Sequence, residues 1–131
     1  MLTLTSNIRT RLSVLLFAML CIPVIGFGQM TIEIQVSPNV LNLKNKGEVV
    51  TVHTDLAYGA VSATTVTLNG VAIDHWKADN QGNFVAKFLI EAIKELPLNI
   101  GQYNTLVMEG YTKTGVAFTG SYDVMVINKG K

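Results

Sequence analysis

Hydrophobic and polar residues alternate along most of the chain after residue 30, a pattern that predicts strands with one buried face. In the first such run, Ile32, Ile34 and Val36 alternate with polar residues. This strand is expected to stop at Ser37-Pro38, because proline has no N–H to donate to a β-ladder. Further strands are predicted over residues 40–43, 49–54, 64–68, 71–73, 84–90, 103–108 and 116–127.

Turn residues separate these runs. Asn69-Gly70 predicts a tight hairpin, since both central residues of such a turn tolerate positive φ. Residues 79–83 predict a second hairpin turn, with Gly82 at positive φ. Residues 55–62 are expected to form a loop at one end of the domain.

The apolar spacing changes once, where Ile90, Ile93 and Leu96 follow the period of a helix. A short helical turn is therefore expected near residues 90–96, and Pro97 should end it. Seven or eight short strands in about 100 residues predict an all-β domain, an immunoglobulin-like Greek-key β-sandwich. An eight-stranded small barrel is the alternative.

Tyr103 favours the sandwich. It precedes the strand that carries Leu106 and Met108, a spacing that resembles a tyrosine corner. In such a corner the Tyr ring is buried at the start of the penultimate strand and its hydroxyl bonds to backbone upstream. We therefore expect Tyr103 to have a structural role.

Several turn and core motifs resemble a bacterial extracellular immunoglobulin-like module. They include a strand started by proline and followed by Leu-Asn-Leu, and a pattern of Gly, Thr and Phe that leads into Val-Met-Val-Ile. The matching stretches are residues 34–47, 66–70, 82–88 and 108–120. The resemblance implies a non-catalytic module of the kind usually appended to secreted enzymes, adhesins or cellulosome-type proteins. The cysteine pair of the immunoglobulin family is absent from residues 29–131, so this would be a disulfide-free relative.

The first 28 residues predict a cleaved secretory signal peptide. Arg9 and Arg11 precede an apolar segment that ends in Gly26-Phe27-Gly28, a small-x-small cleavage site. An uncleaved anchor and a lipidated Cys21 are the alternatives, and the apolar segment is short for a membrane span. The Gly-Phe-Gly-Gln sequence resembles exported proteins of the Bacteroidetes. The domain at 29–131 is accordingly expected in the periplasm, at the cell surface or outside the cell.

Composition narrows the functional classes once the leader is set aside. Residues 29–131 contain eight Lys, no Arg, no Cys and nine Asp or Glu residues. A net charge near −1 gives no basic field to attract nucleic acid. A thiol nucleophile, a Gly-x-Ser-x-Gly elbow and a glycine-rich phosphate loop are all missing from these residues, which argues against an enzyme.

Two sets of side chains are candidate metal ligands. Asp79 and Asn83, with Asp74, offer oxygens to calcium, although the loop lacks the acidic pattern of an EF-hand and a plain hairpin turn is the favoured interpretation. His53 and His75, with nearby carboxylates, offer a weaker set for a transition metal. Nothing in the sequence shows that the two histidines converge.

Aromatic residues are the candidate contacts for a ligand or partner. Tyr58, His75, Trp76 and Tyr111 form the predicted surface, and Tyr122 extends the set of rings that a sugar could stack on. The leading expectation is protein–protein interaction or scaffolding in the cell envelope, with self-association through the strand that starts at Met30 as one mode. A carbohydrate- or calcium-binding module is the alternative, and a small periplasmic enzyme is the third.

Overall fold

The computed structural model describes residues 29–130, which form two β-sheets around one hydrophobic core. The predicted signal peptide and Lys131 lie outside the described residues. The strands are β1 Gln29–Thr31, β2 Ile34–Ser37, β3 Val40–Asn42, β4 Val49–Ala57, β5 Val61–Leu68, β6 Val71–Ala72, β7 His75–Ala78, β8 Asn83–Leu89, β9 Tyr103–Thr112 and β10 Ala117–Ile127. A 3-10 turn, Tyr58–Ala60, links β4 to β5, and helix α1 spans Ile90–Ile93.

The two sheets divide the strands unequally. In the larger sheet the order is β1-β10-β9-β5-β6, and β3 also pairs with β10. In the smaller sheet the order is β2-β4-β8-β7. Two separate sheets confirm the predicted all-β sandwich in preference to a closed barrel.

The first predicted strand is in fact two strands in different sheets. β1 runs parallel to β10, with Met30 opposite Phe118, and β2 runs antiparallel to β4, with Ile34 opposite Thr54. β3 then returns to β10, where Val40 lies opposite Met125. The alternation of apolar residues does not reveal this change of sheet, because the inward side chains enter the same core from either sheet.

The core is contributed by both sheets and by α1. Three Phe side chains are its largest members, and the alternating residues of β9 and β10 supply much of the rest. The buried core residues with the largest side chains are Phe84, Phe88, Phe118, Leu41, Leu68, Ile90, Ile93, Leu106 and Met108. Among the described residues, no helical segment has both the length and the apolar character that a membrane crossing requires.

The predicted turns are confirmed. Asn69 and Gly70 have φ of 47° and 85°, and they connect β5 to β6. Gly82 has φ of 81° in the hairpin that joins β7 to β8. Helix α1 continues as a turn to Leu96 through backbone hydrogen bonds, and Pro97 follows directly.

The loop predicted over 55–62 is mostly strand. β4 continues through Ala57 and β5 starts at Val61, which leaves only the 3-10 turn between them. Strand β7 is a further difference from the prediction: its four residues alternate polar and apolar, but the run is short and Trp76 is its one strong strand former.

The prediction of a tyrosine corner is wrong. Tyr103 does begin the penultimate strand, but its side chain is 67% exposed. Side chains alternate along a strand, so a residue three positions before the buried Leu106 lies on the outer face. Asn104, two residues before Leu106 and thus on the same face of β9, holds this corner instead. Its side-chain oxygen accepts a hydrogen bond from the Asn99 N–H at 2.8 Å, and its side-chain nitrogen donates to the Asn99 carbonyl at 2.9 Å.

Candidate binding site

A cleft with two exposed aromatic rings opens between strand β7 of the smaller sheet and the first half of β5 in the larger one. We call it the aromatic cleft, and its volume is about 270 Å³. Small-molecule pockets typically measure about 300–1,000 Å³, so the aromatic cleft has room for a single large side chain or one sugar ring. Its lining residues are Tyr58, Val61, Ser62, Ala63, Thr64, Trp76, Phe84 and Lys113.

Trp76 reaches the aromatic cleft because of its register in the sheet. It lies opposite Ala86, which is fully buried, so both side chains point to the inner face. However, β7 is the last strand of its sheet, and Trp76 remains 37% exposed. An inward-facing Trp at an open edge is thus available to a ligand.

Tyr58 forms a second wall, and the backbone holds it in place. Its N–H donates to the carbonyl of Gly82 at 2.8 Å, which ties the 3-10 turn to the β7–β8 hairpin. Its ring lies 6.3 Å from the ring of Phe84, centroid to centroid, with a 32° angle between the planes. Phe84 is buried and forms the floor, whereas Tyr58 is 41% exposed.

Lys113 gives the aromatic cleft a positive charge. The Lys113 N–H donates to the carbonyl of Ala60 at 2.9 Å, so the β9–β10 turn is also attached to the 3-10 turn. Among the eight lining residues Lys113 is the one with a formal charge at neutral pH. The two ion pairs within residues 29–130 join Asp74 to His75 and Glu91 to Lys94, so neither neutralises Lys113.

Two of the four predicted surface residues lie elsewhere. His75 faces the outer side of the smaller sheet, opposite Lys87, and its Nδ1 lies 2.7 Å from the Asp74 carboxylate. Tyr111 is exposed on the outer face of the larger sheet, opposite Ala117. Only Tyr58 and Trp76 are brought together.

The predicted calcium ligands are not assembled into one site. Asp79 Oδ1 accepts hydrogen bonds from the N–H groups of Gln81 and Asn83 at 2.8 and 2.9 Å. The Asn83 N–H is the main cause that holds the pKa of Asp79 below its ordinary value of 3.8; burial opposes it, while the Gln81 N–H and nearby His53 add to it. Asp74 lies beyond the other end of β7, about 16 Å away at the rise of a strand.

A polar groove lies at the end of the smaller sheet, below the β7–β8 hairpin. Glu33, His53, Asp55 and Asp79 contribute to its lining. No group of three His, Cys, Asp or Glu side chains within residues 29–130 is arranged to hold a metal ion. His53 lies on β4 and His75 on β7, and β8 separates these two strands. The structure therefore does not bring the two histidines together.

Sequence reasoning missed the floor and the charge of the aromatic cleft. Phe84 has the pattern of an ordinary core residue, and Lys113 that of an ordinary turn residue. Only the pairing of the strands places them beside Trp76, so no local signal could have found them.

No protein-family model, no curated protein and no solved structure matches this chain.

Proposed function

We propose that this chain is an exported, non-catalytic immunoglobulin-like module that binds another protein of the cell envelope. The observation that carries the proposal is the aromatic cleft, with Tyr58 and Trp76 half-exposed on a backbone fixed by the hydrogen bonds of Tyr58 and Lys113. Tyr and Trp are enriched among the residues that dominate protein interfaces, because they bury much apolar area at a small entropic cost. The site faces the periplasm or the cell exterior, as the leader implies.

The chemistry of the lining supports binding in preference to catalysis. Among the described residues that line the aromatic cleft, the hydroxyl groups of Ser62 and Thr64 have no His, Asp or Glu beside them to activate them as nucleophiles. Hydroxyl groups of Ser62 and Thr64 and the ammonium of Lys113 form a polar rim around an apolar floor. An apolar centre within a polar rim is the usual anatomy of a protein interface.

Carbohydrate binding is the second candidate function. Trp76 and Tyr58 offer ring faces for the C–H groups of a pyranose, and the cleft volume fits one sugar ring. Hydroxyl groups on the rim are suitable hydrogen-bond partners for a sugar. For calcium, the candidate ligands are reduced to Asp79 and Asn83, which face each other across the β7–β8 turn.

Affinity capture from native envelope extract tests the proposal. The exported full-length chain is compared with Trp76→Ala and with Tyr111→Ala, a matched control that removes an exposed ring outside the aromatic cleft. We expect a stoichiometric protein partner whose affinity falls at least about 30-fold in Trp76→Ala, the effect of losing one interface hot spot. Tyr111→Ala should bind like wild type, and thermal melting should show that both variants are folded.

Two results would contradict the proposal. Equal affinity of Trp76→Ala and wild type would show that the aromatic cleft is not the interface. Saturable binding to glycans that depends on Trp76, without any protein partner, would favour the carbohydrate-binding module instead.

A further inference from the structure

The outer edge of β7, with which no described strand pairs, borders the aromatic cleft. β7 is the last strand in the order β2-β4-β8-β7, and all four of its residues are exposed. The Asp79 N–H donates to the Asn83 carbonyl at 2.9 Å, which marks residues 79 and 83 as a hydrogen-bonded pair. Hydrogen-bonded and non-hydrogen-bonded pairs alternate along an antiparallel ladder. Trp76 and Ala78 are therefore in non-hydrogen-bonded positions, and their N–H and C=O groups point away from β8 towards the open edge.

The facing part of the larger sheet is open as well. β6 pairs only with Thr67 and Leu68, so the first half of β5, from Val61 onward, has β9 on one side and no strand on the other among the described residues. The aromatic cleft occupies the gap between this half of β5 and β7. A strand added beside β7 would therefore run along the mouth of the cleft, and a side chain opposite Trp76 would point into it.

The positive charges along β7 and the aromatic cleft indicate which charged residue the ligand should carry. Lys77 lies at the centre of β7 on the outer face, and Lys113 lines the cleft. Neither belongs to an ion pair within residues 29–130. The two carboxylates that flank β7 in the sequence are engaged, Asp74 with His75 and Asp79 with its own turn. The middle of this edge is thus cationic, and it favours an acidic residue across from Lys77.

We propose that the partner binds as an extended strand that pairs with β7, inserts one large apolar side chain into the aromatic cleft and places an Asp or Glu beside it, opposite Lys77. This inference rests on the proposed function and specifies its partner. Main-chain hydrogen bonds to Trp76 and Ala78 supply affinity, and the aromatic cleft selects the inserted side chain.

Proline substitution at the edge tests strand addition. Ala78→Pro removes one N–H that points outward and leaves the pairing with β8 intact, which edge strands tolerate. Ala72→Pro is the matched control, because Ala72 lies in the edge strand β6 and is also in a non-hydrogen-bonded position, given that the Ile73 N–H donates to the Val66 carbonyl. We expect Ala78→Pro to weaken binding at least about tenfold, and Ala72→Pro to bind like wild type.

Peptide selection makes the test independent of the natural partner. Random eight-residue peptides are displayed and selected on the full chain, and the fluorescence of Trp76, the one Trp in the sequence, reports occupancy of the cleft. We expect enriched peptides with a large apolar residue next to Asp or Glu. Lys77→Glu should shift the selection towards Lys and Arg.

Each remaining outcome overturns the inference. If Ala78→Pro binds as tightly as wild type while Trp76→Ala does not, the proposed function stands and strand addition is wrong. The inference would also be overturned by a selection that enriches no peptide, or by one whose preferred peptides are the same for Lys77→Glu and wild type. Two further outcomes would overturn it: saturation of the Trp76 fluorescence signal by a methyl glycoside, and self-association that Ala78→Pro abolishes.

Discussion

The two lateral sides of the sandwich are built in opposite ways. On the closed side, residues 29–42 pass from one sheet to the other and back, and they cover the edge of β10. Ile32, Ile34 and Leu41 of this segment are buried in the core. On the open side the described chain crosses between the sheets only at Ile73–Asp74, beside the second half of β5. No described segment lies between the first half of β5 and β7, where Trp76 faces inward and is 37% exposed.

This difference shows which side of the sandwich still exposes apolar rings and edge backbone groups that a partner could cover. A segment that exchanges between sheets satisfies the edges of both and fills the gap between their faces. On the open side, the outer backbone groups of β7 pair with no described strand, and the rings of Tyr58 and Trp76 are half-exposed. Stability is therefore expected to depend on the closed side, and binding on the open side.

The largest effect should come from Ile34→Ala on the closed side. Ile34 lies on β2 of the smaller sheet and is buried on the side where β2 contacts β10. Truncation of such a residue costs about 2–5 kcal/mol in the free energy of unfolding. Urea denaturation measures this cost. Gln35→Ala, at the adjacent exposed position, is the control and should stay within about 0.5 kcal/mol of wild type. A cost below about 1 kcal/mol for Ile34→Ala would show that the segment is not essential to the core.

Glycine substitutions compare the closed and open sides through smaller changes in the free energy of unfolding. A Cβ at Gly120 would lie 2.8 Å from the backbone oxygen of Ile32, so Gly120→Ala should cost about 1–3 kcal/mol by overpacking the closed side. On the open side, a Cβ at Gly59 meets no atom within 4 Å. Gly59→Ala should therefore be neutral, or stabilising by up to about 1 kcal/mol. Equal melting temperatures for the two variants would contradict the distinction between the sides.

The smallest effect concerns the hairpin that supports Tyr58. The lowered pKa of Asp79, caused mainly by the Asn83 N–H, means that the carboxylate stabilises the folded state above its ordinary pKa of 3.8. This contribution is lost as the pH falls through the folded-state pKa. Asp79→Asn should therefore melt below wild type at neutral pH, and the gap should narrow in acid. Thermal melting from pH 7 down to about pH 2 measures it, and a gap that is constant with pH would refute the role of the charge.

The alternation of side chains was sufficient to predict the strands with a buried face, the Asn-Gly pair predicted the turn at residues 69 and 70, and the change to a helical period predicted α1. It did not predict β7, because His75-Trp76-Lys77-Ala78 alternates over only four residues and contains one strong strand former, Trp76. It could have corrected Tyr103, since the count of three residues to Leu106 already places that ring outside. The aromatic cleft required the strand order, because Tyr58, Trp76 and Lys113 are distant in sequence and lie in different elements.

The closed side also determines when the chain can finish folding. Asn42 accepts a hydrogen bond from the Lys129 N–H and donates to the Lys129 carbonyl, across 87 residues of sequence. β1, the first described strand, also pairs with β10, the last one. The start of the domain therefore has no partner in the larger sheet until the end of the domain has been synthesised. Contacts this distant in sequence form slowly. The proposed export would benefit from this delay, because a chain that crosses a membrane in extended form must not close its core before the whole domain has crossed.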